Sequence, residues 1–238
     1  MSSFEWGNFW KEKRSFHAIT KISTAFFASQ IEKKYHLKPG DDILDFGCGP
    51  GFIADTLAAK NIQITGADIN EFFISACQEK YPASTFIHIT TDIEVNKKIL
   101  NEQLKERKFD LIIFLGVAQY LDSISEVEEI IKMLLFYVKG SGKIIVGDVI
   151  DENTSSVKDA FSVLFHYIKK GKIAAFIRFV FFMLFSNYRN IIREAKMIMV
   201  PEQSICKMAE NNLLDYQKVN GLSIHPTRSS YVLSKKVQ

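Results

Sequence analysis

A short apolar strand that empties into alternating glycines constrains this chain more than any other stretch. Ile43, Leu44 and Phe46 surround Asp45, and Gly47, Gly49 and Gly51 follow in Asp41-Asp42-Ile43-Leu44-Asp45-Phe46-Gly47-Cys48-Gly49-Pro50-Gly51-Phe52. Residues without a Cβ reach unusual dihedrals and let bare backbone approach a ligand closely. A dinucleotide fingerprint is spaced G-x-G-x-x-G, with its last glycine packing the helix on the sheet. Here the pattern is D-x-G-x-G-x-G, and Asp45 would repel a pyrophosphate. The loop suits a ligand that offers a cation and hydroxyls.

The rest of the chain sets this turn in an α/β frame. Residues 4–36 carry apolar positions at helical spacing (Phe9, Phe16, Ile19, Ile22, Phe26, Ile31), and Pro39-Gly40 ends that stretch. Strands are expected at 42–46, 61–68, 85–90, 109–115 and 143–149, the last entered by a turn at Gly140 and Gly142. Helices are expected at 52–60, 71–80, about 94–107, and 125–137 with Ser125 as its cap. Such alternation indicates a parallel sheet covered on both faces. Residues 151–212 read as two or three helices, one opening at Val200-Pro201-Glu202 with Pro201 as the first helical residue. Segments 213–222 and 229–234 would supply two closing strands, with Asn220-Gly221 as a turn signal.

The glycine loop resembles motif I of the class I S-adenosylmethionine-dependent methyltransferases, and the resemblance continues at family-like intervals through about residues 40–150. It implies a Rossmann-like, seven-stranded, mostly parallel sheet with helices on both faces. One domain over 1–238 is expected: an N-terminal helical lid (1–38), a cofactor-binding core (39–150), a helical substrate or lid insertion (151–212) and closing strands (213–238). S-adenosyl-L-methionine is the implied cofactor. Asp45, Gly47, Cys48, Gly49 and Gly51 would cradle its amino-acid part. Asp68, seventeen residues beyond Gly51, would take both ribose hydroxyls, with Ile69 against the adenine. Asp92 and Ile93 would meet the adenine edge and ring, and Leu115 and Gly116 would line the methionine part. Bland readings stay open beside these: a strand-end turn for Asp68 and a helix cap for Asp92.

For catalysis, Gln119 and Tyr120 follow the fourth strand and would aim an acceptor, although core packing explains Tyr120 equally well. No histidine stands in that loop, so the general base is unassigned; His166 and His225 are candidates because imidazole titrates near neutral pH. The five histidines are scattered, with no metal-ligand spacing, and no metal is expected. Cys48, Cys77 and Cys206 are odd in number and lack C-x-x-C spacing, which suits free thiols.

Between His166 and Val200 stand seven basic residues (Lys169, Lys170, Lys172, Arg178, Arg189, Arg193, Lys196) against Glu194 alone. They flank Ile173–Phe185, apolar on nearly every face but only ~20 Å long as a helix, against a bilayer core of ~30 Å. Core or pocket wall, a membrane-facing lid, and a protein docking surface are the readings for it. The expected partners are a small acceptor and, through 169–196, a membrane surface or an acidic carrier protein; nucleic acid is not expected, because the basic stripe is interleaved with apolar residues. The expected activity is methylation of a small hydrophobic or aromatic acceptor, lipid- or carrier-linked in one version, with oxygen the first choice of atom. The alternatives are a non-catalytic module that binds the methyl donor and a nicotinamide-dependent oxidoreductase. A cytoplasmic protein, peripheral to the membrane in one version, completes the expectation; Met1-Ser2-Ser3-Phe4-Glu5-Trp6 shows no secretion signal.

Overall fold

The computed structural model describes residues 14–169, 171, 177 and 197–236. Helix α1 (Arg14–Tyr35) is followed by β1 (Ile43–Phe46), α2 (Phe52–Ala58), β2 (Thr65–Asp68), α3 (Glu71–Lys80), β3 (Thr85–His88) and α4 (Ile93–Leu104). Then come β4 (Phe109–Leu115), a 3-10 turn (Ala118–Tyr120), α5 (Ile124–Phe136), β5 (Val138–Val149), α6 (Ser156–Lys169), α7 (Glu202–Asn211), β6 (Leu214–Lys218) and β7 (Ser229–Lys235). The seven strands lie in the order β3-β2-β1-β4-β5-β7-β6. Only β7 runs against its neighbours, pairing antiparallel with β5 and β6.

Strand alternation divides the core in two, since successive side chains point to opposite faces. Leu44, Phe46, Ile112, Phe114, Ile144 and Val146 pack under α4, α5 and α7 through Leu100, Ile131, Leu134 and Ile205. Ile43, Ile113 and Ile145 meet α1, α2 and α3 on the other face, through Phe27, Ala28, Ile31, Ile53, Leu57 and Ile74. The later half of α1 therefore packs on the sheet. Its Ile22 and Phe26 also reach Val163 and Tyr167 of α6 and Ile224. Residues 1–13 of the expected 1–38 lid lie outside the described residues.

Three local expectations are corrected. Ser123, not Ser125, caps α5: its Oγ accepts from the Glu126 N–H (3.2 Å), and Glu126 Oε2 accepts from the Asp122 N–H (2.8 Å). Ser123 and Ser125 both stand three residues before a glutamate, Glu126 and Glu128; it is Ser123 whose side chain takes a first-turn donor, while Glu126 reaches back to the residue before the cap. Gly140 and Gly142 do not end in a turn but lie within β5, where the pairing with β4 slips between Phe109 and Leu111. Gly142 fits there because a Cβ would stand 2.6 Å from the Phe109 carbonyl oxygen. Pro201 is the N-cap of α7, one place before the first helical residue. The 173–185 helix falls outside the described residues except Ile177, which is half exposed.

The amino ends of the parallel strands are tied by ions. Asp42, just before β1, takes Arg107 (3.0 Å) and Lys139 (2.8 Å), and Lys139 also holds Asp110 at 2.7 Å. Arg107 Nη1 donates to Thr65 Oγ1 at the start of β2 (3.1 Å).

Candidate active site

In an open parallel sheet the order reverses where successive connections leave on opposite sides, and a crevice opens at the strands' carboxyl ends. Here that point lies between β1 and β4. The glycine loop leaves β1 at this crevice. Gly47 has φ +86°, and a Cβ on it would overlap Val117 Cγ2 in the loop after β4. Any larger residue would both strain the backbone and push the two loops apart. The Gly47 and Cys48 N–H groups donate to the Ala67 carbonyl of β2 (2.7 and 3.0 Å), which folds the loop down onto the neighbouring strand.

Asp68 ends β2 and is almost fully buried. Its Oδ2 accepts from the Gly49 N–H at 2.7 Å and its Oδ1 from the Asn70 N–H at 2.8 Å. The carboxylate therefore pins the loop and starts the turn into α3, whose cap is Asn70. Each oxygen accepts more than one bond, so these contacts leave acceptor capacity for a ligand. Burial raises the Asp68 carboxyl above its usual range, while bonds from Asn70 and Gly49 work against that.

Asp45 lies in the middle of β1, paired with Gly66 and Ile113 and 2% exposed. Its Oδ2 is sealed from solvent and has no hydrogen bond. Burial, and then the charge of Asp68, push its carboxyl up to about 8. A buried carboxyl left unpaired is costly, and a ligand ammonium would relieve both the burial and the repulsion. The same setting holds the neighbouring thiols protonated: burial, followed by Asp45 and Asp68, raises Cys77 to about 11 and lifts Cys48 well above its usual value. Cys48, Cys77 and Cys206 are all free.

The remaining donor-side positions divide. Ile69 follows Asp68 and is 37% exposed, an apolar side chain left at the crevice rim. Asp92 caps α4, its Oδ1 accepting from the Glu94 and Val95 N–H groups (2.8 and 3.1 Å). That is the bland reading of Asp92, and Ile93 packs partly buried against the core below it. Leu115 ends β4, and the Gly116 N–H donates to the Gly147 carbonyl of β5 (2.9 Å), so this loop bends over the end of the next strand.

On the acceptor side, Gln119 is buried, its amide nitrogen facing Gly116 and its Oε1 sealed without a hydrogen bond. Tyr120 is half buried; burial lifts its hydroxyl to about 12, with Arg228 pulling it down and Asp148 pushing it up. His225 falls in the same polar cluster, while His166 sits seven residues beyond Asp159 on α6, about 10 Å along the helix, with its ring edge-on to Phe26.

No local pattern in the sequence announces the other members of that cluster. Asp148, at the end of β5 with φ +58°, accepts from Ser223 Oγ (2.5 Å) and Arg228 Nη1 (2.7 Å). Asp159 of α6 accepts from Arg228 Nε (3.2 Å) and Thr227 Oγ1 (2.8 Å). The only available hint was Asp148 standing at the carboxyl end of a strand, the place where ligands bind in this kind of sheet. Among the described residues no group of three His, Cys, Asp or Glu side chains is set to hold a metal.

Residues 37–196 match the family model for a methyltransferase domain, more than half of the chain. The chain belongs to that family. It is a class I, S-adenosylmethionine-dependent methyltransferase, and this decides against the nicotinamide-dependent alternative. The methyltransferase is 24% identical over 234 residues to a ubiquinone biosynthesis O-methyltransferase of Rickettsia bellii, covering 98% of this chain and 85% of that one. A protein of the same name from Rickettsia canadensis is 27% identical over 147 residues, 60% of this chain, and there the match spans only 58% of the relative's length. Among solved structures, the magnesium protoporphyrin IX methyltransferase of Synechocystis with bound S-adenosylmethionine shares the fold at a TM-score of 0.55 and 15% identity, over 99% of this chain and 86% of that one. The crevice fits the cofactor on its own terms: an unpaired buried carboxyl for a cation, a loop too tight for side chains at Gly47, and an exposed apolar residue beside Asp68.

Proposed function

We propose that this methyltransferase methylates a hydroxyl oxygen on a small apolar or aromatic acceptor. When bound, the cofactor supplies an activated methyl group on a sulfonium, so the chain's own work is alignment, which is worth ~7–11 kcal/mol of barrier. In this reading Asp45 faces the ammonium across the loop of Gly47, Cys48, Gly49 and Gly51. Asp68 takes the ribose hydroxyls while Ile69 covers the adenine. Asp92 offers its second carboxylate oxygen to the adenine edge above Ile93, and Leu115 and Gly116 flank the methionine part.

The observation that carries the acceptor side is Gln119, whose amide nitrogen faces Gly116 and whose amide oxygen is buried and unpaired. It calls for a donor on the ligand, and a second hydroxyl beside the one that is methylated, as in a catechol, provides one. Tyr120, whose hydroxyl stays protonated at neutral pH, would donate to the same acceptor. The two Rickettsia relatives named above are called O-methyltransferases, which supports oxygen as the methylated atom. The test is a screen of phenolic and lipid-linked hydroxyl compounds with isotopically labelled methyl donor. Label recovered as an aryl or alkyl methyl ether is the expected result; label on nitrogen or carbon would replace this reading.

The membrane side of the proposal rests on α6. Val157, Phe161, Phe165 and Ile168 recur at helical spacing and are all exposed, and Lys169 Nζ sits 4.7 Å over the Phe165 ring. With the seven basic residues of 169–196, that stripe suits the surface of an anionic membrane, where apolar insertion and cationic attraction combine. No helix among the described residues is long and apolar enough to cross a membrane. The form proposed is a cytoplasmic enzyme with a peripheral membrane face. Wild type is expected to float with phosphatidylserine vesicles, and Phe161→Ser with Phe165→Ser to stay behind. Wild type that never floats, or that binds only an acidic carrier protein, removes the membrane face.

A further inference from the structure

We propose that His225 takes the proton from the acceptor hydroxyl, with Asp159 as the positioning residue that faces its Nδ1. This rests on the O-methylation reading above and adds the base that reading lacks.

Place comes first. The Gly116 N–H is bonded to the Gly147 carbonyl, so the residue after Gly147, Asp148, stands beside the loop that leaves β4, at the same carboxyl edge of the sheet as the crevice. Around Asp148 gather Tyr120 from the loop after β4, Asp159 from α6, and Ser223, His225 and Arg228 from the loop before β7. The cluster closes the acceptor side from three separate segments of the chain.

His225 is held by its backbone, whose N–H donates to Ser223 Oγ (3.0 Å); Ser223 in turn donates to Asp148. Of its two ring nitrogens, only Nδ1 is sealed from solvent without a hydrogen bond, and it lies 4.0 Å from Asp159 Oδ2. A proton on Nδ1 faces that carboxylate, which leaves the Nε2 lone pair as the basic site. Asp159 is itself fixed by Thr227 and Arg228. The charged groups facing the ring among the described residues are Asp148, Asp159 and Arg228. With a neutral imidazole these sum to one negative charge, and a proton gained by His225 brings the set to neutrality. Burial holds His225 below its usual value, Asp148 and Asp159 oppose this and Arg228 adds to it, so the ring is neutral at neutral pH.

In the step, the hydroxyl oxygen forms the new C–O bond as the C–S bond breaks. The sulfur keeps the bond's electron pair and becomes a neutral thioether, the hydroxyl proton passes to His225 Nε2, and water later removes it. A neutral amine would need no such group, so a base here is a mark of a hydroxyl acceptor.

The experiment uses the full chain with a panel of catechols and simple phenols. His225→Gln should lower kcat by ~10²–10⁴-fold while S-adenosylhomocysteine affinity, read by calorimetry, stays unchanged. In wild type kcat should fall as pH drops through the His225 titration, and that acid limb should be absent from His225→Gln. Asp159→Asn, read by NMR of the His225 ring, should move the titration to lower pH, a shift that loss of packing alone would not produce. An unchanged kcat or a persisting limb in His225→Gln overturns the base. An unmoved ring titration in Asp159→Asn overturns the positioning role; should that variant not fold, His225→Gln still decides. Failure of wild type to bind S-adenosylhomocysteine sinks the donor-site reading itself. Binding without turnover of any phenol sinks the hydroxyl acceptor and the base together.

Discussion

Asp68→Ala is expected to weaken S-adenosylhomocysteine binding by at least tenfold in calorimetry. Two effects add in the same direction. The ribose would lose its acceptor, and each hydrogen bond to a charged group is worth ~1.5–3 kcal/mol. The loop would also lose its pin, because Asp68 Oδ2 holds the Gly49 N–H and Oδ1 the Asn70 N–H. Asp68→Asn separates the two, since its remaining oxygen still accepts from one backbone group while the charge is gone. An intermediate loss is expected for it. Affinity unchanged in Asp68→Ala would mean that the ribose lies elsewhere.

Asp45→Asn is expected to make the ligand-free protein more stable and the ligand weaker. The folded carboxyl is raised to about 8 by burial and by Asp68, against an unfolded value near 3.9. A raised value means the fold prefers the protonated form. The stability contributed by Asp45 is therefore fully present below pH ~4 and is lost as pH climbs toward about 8. Asparagine mimics the protonated group and does not titrate. The variant's advantage should be absent near pH 4, grow to neutrality and level off above about 8, on the order of a few kcal/mol or a Tm rise of roughly 5–10 °C. The cost is the lost partner for the ligand's cation, roughly a tenfold to hundredfold drop in affinity. Wild type should also release a proton on binding near pH 7, seen as a buffer-dependent heat, and the variant should not. A less stable Asp45→Asn at pH 8 would mean that Asp45 is satisfied in the free protein.

How far the sequence carried this picture depended on distance along the chain. The turn after β1 and Asp68 are separated by seventeen residues, and their spacing alone announced the donor crevice. The alternation of 109–115 with 125–137 announced β4 and α5, because one face of each had to be buried. The cap of α5 was misplaced because Ser123 and Ser125 each stand three residues before a glutamate, so spacing alone does not choose between them. The turn at Gly140 and Gly142 was misplaced because glycine marks a close approach as readily as a reversal, and here the approach is to the Phe109 carbonyl. The acceptor cluster was illegible for a different reason. Asp148, Asp159 and Arg228 meet only after β7 has been laid beside β5, and no periodicity records a contact made across eighty residues.

The ion ties among Asp42, Arg107, Asp110 and Lys139 hold one rim of the sheet, and they lie opposite the glycine loop. The sheet is thus braced at the edge away from the crevice. Local opening of the glycine loop would leave these ties in place, so β1, β2, β4 and β5 would keep their register while a ligand came or went.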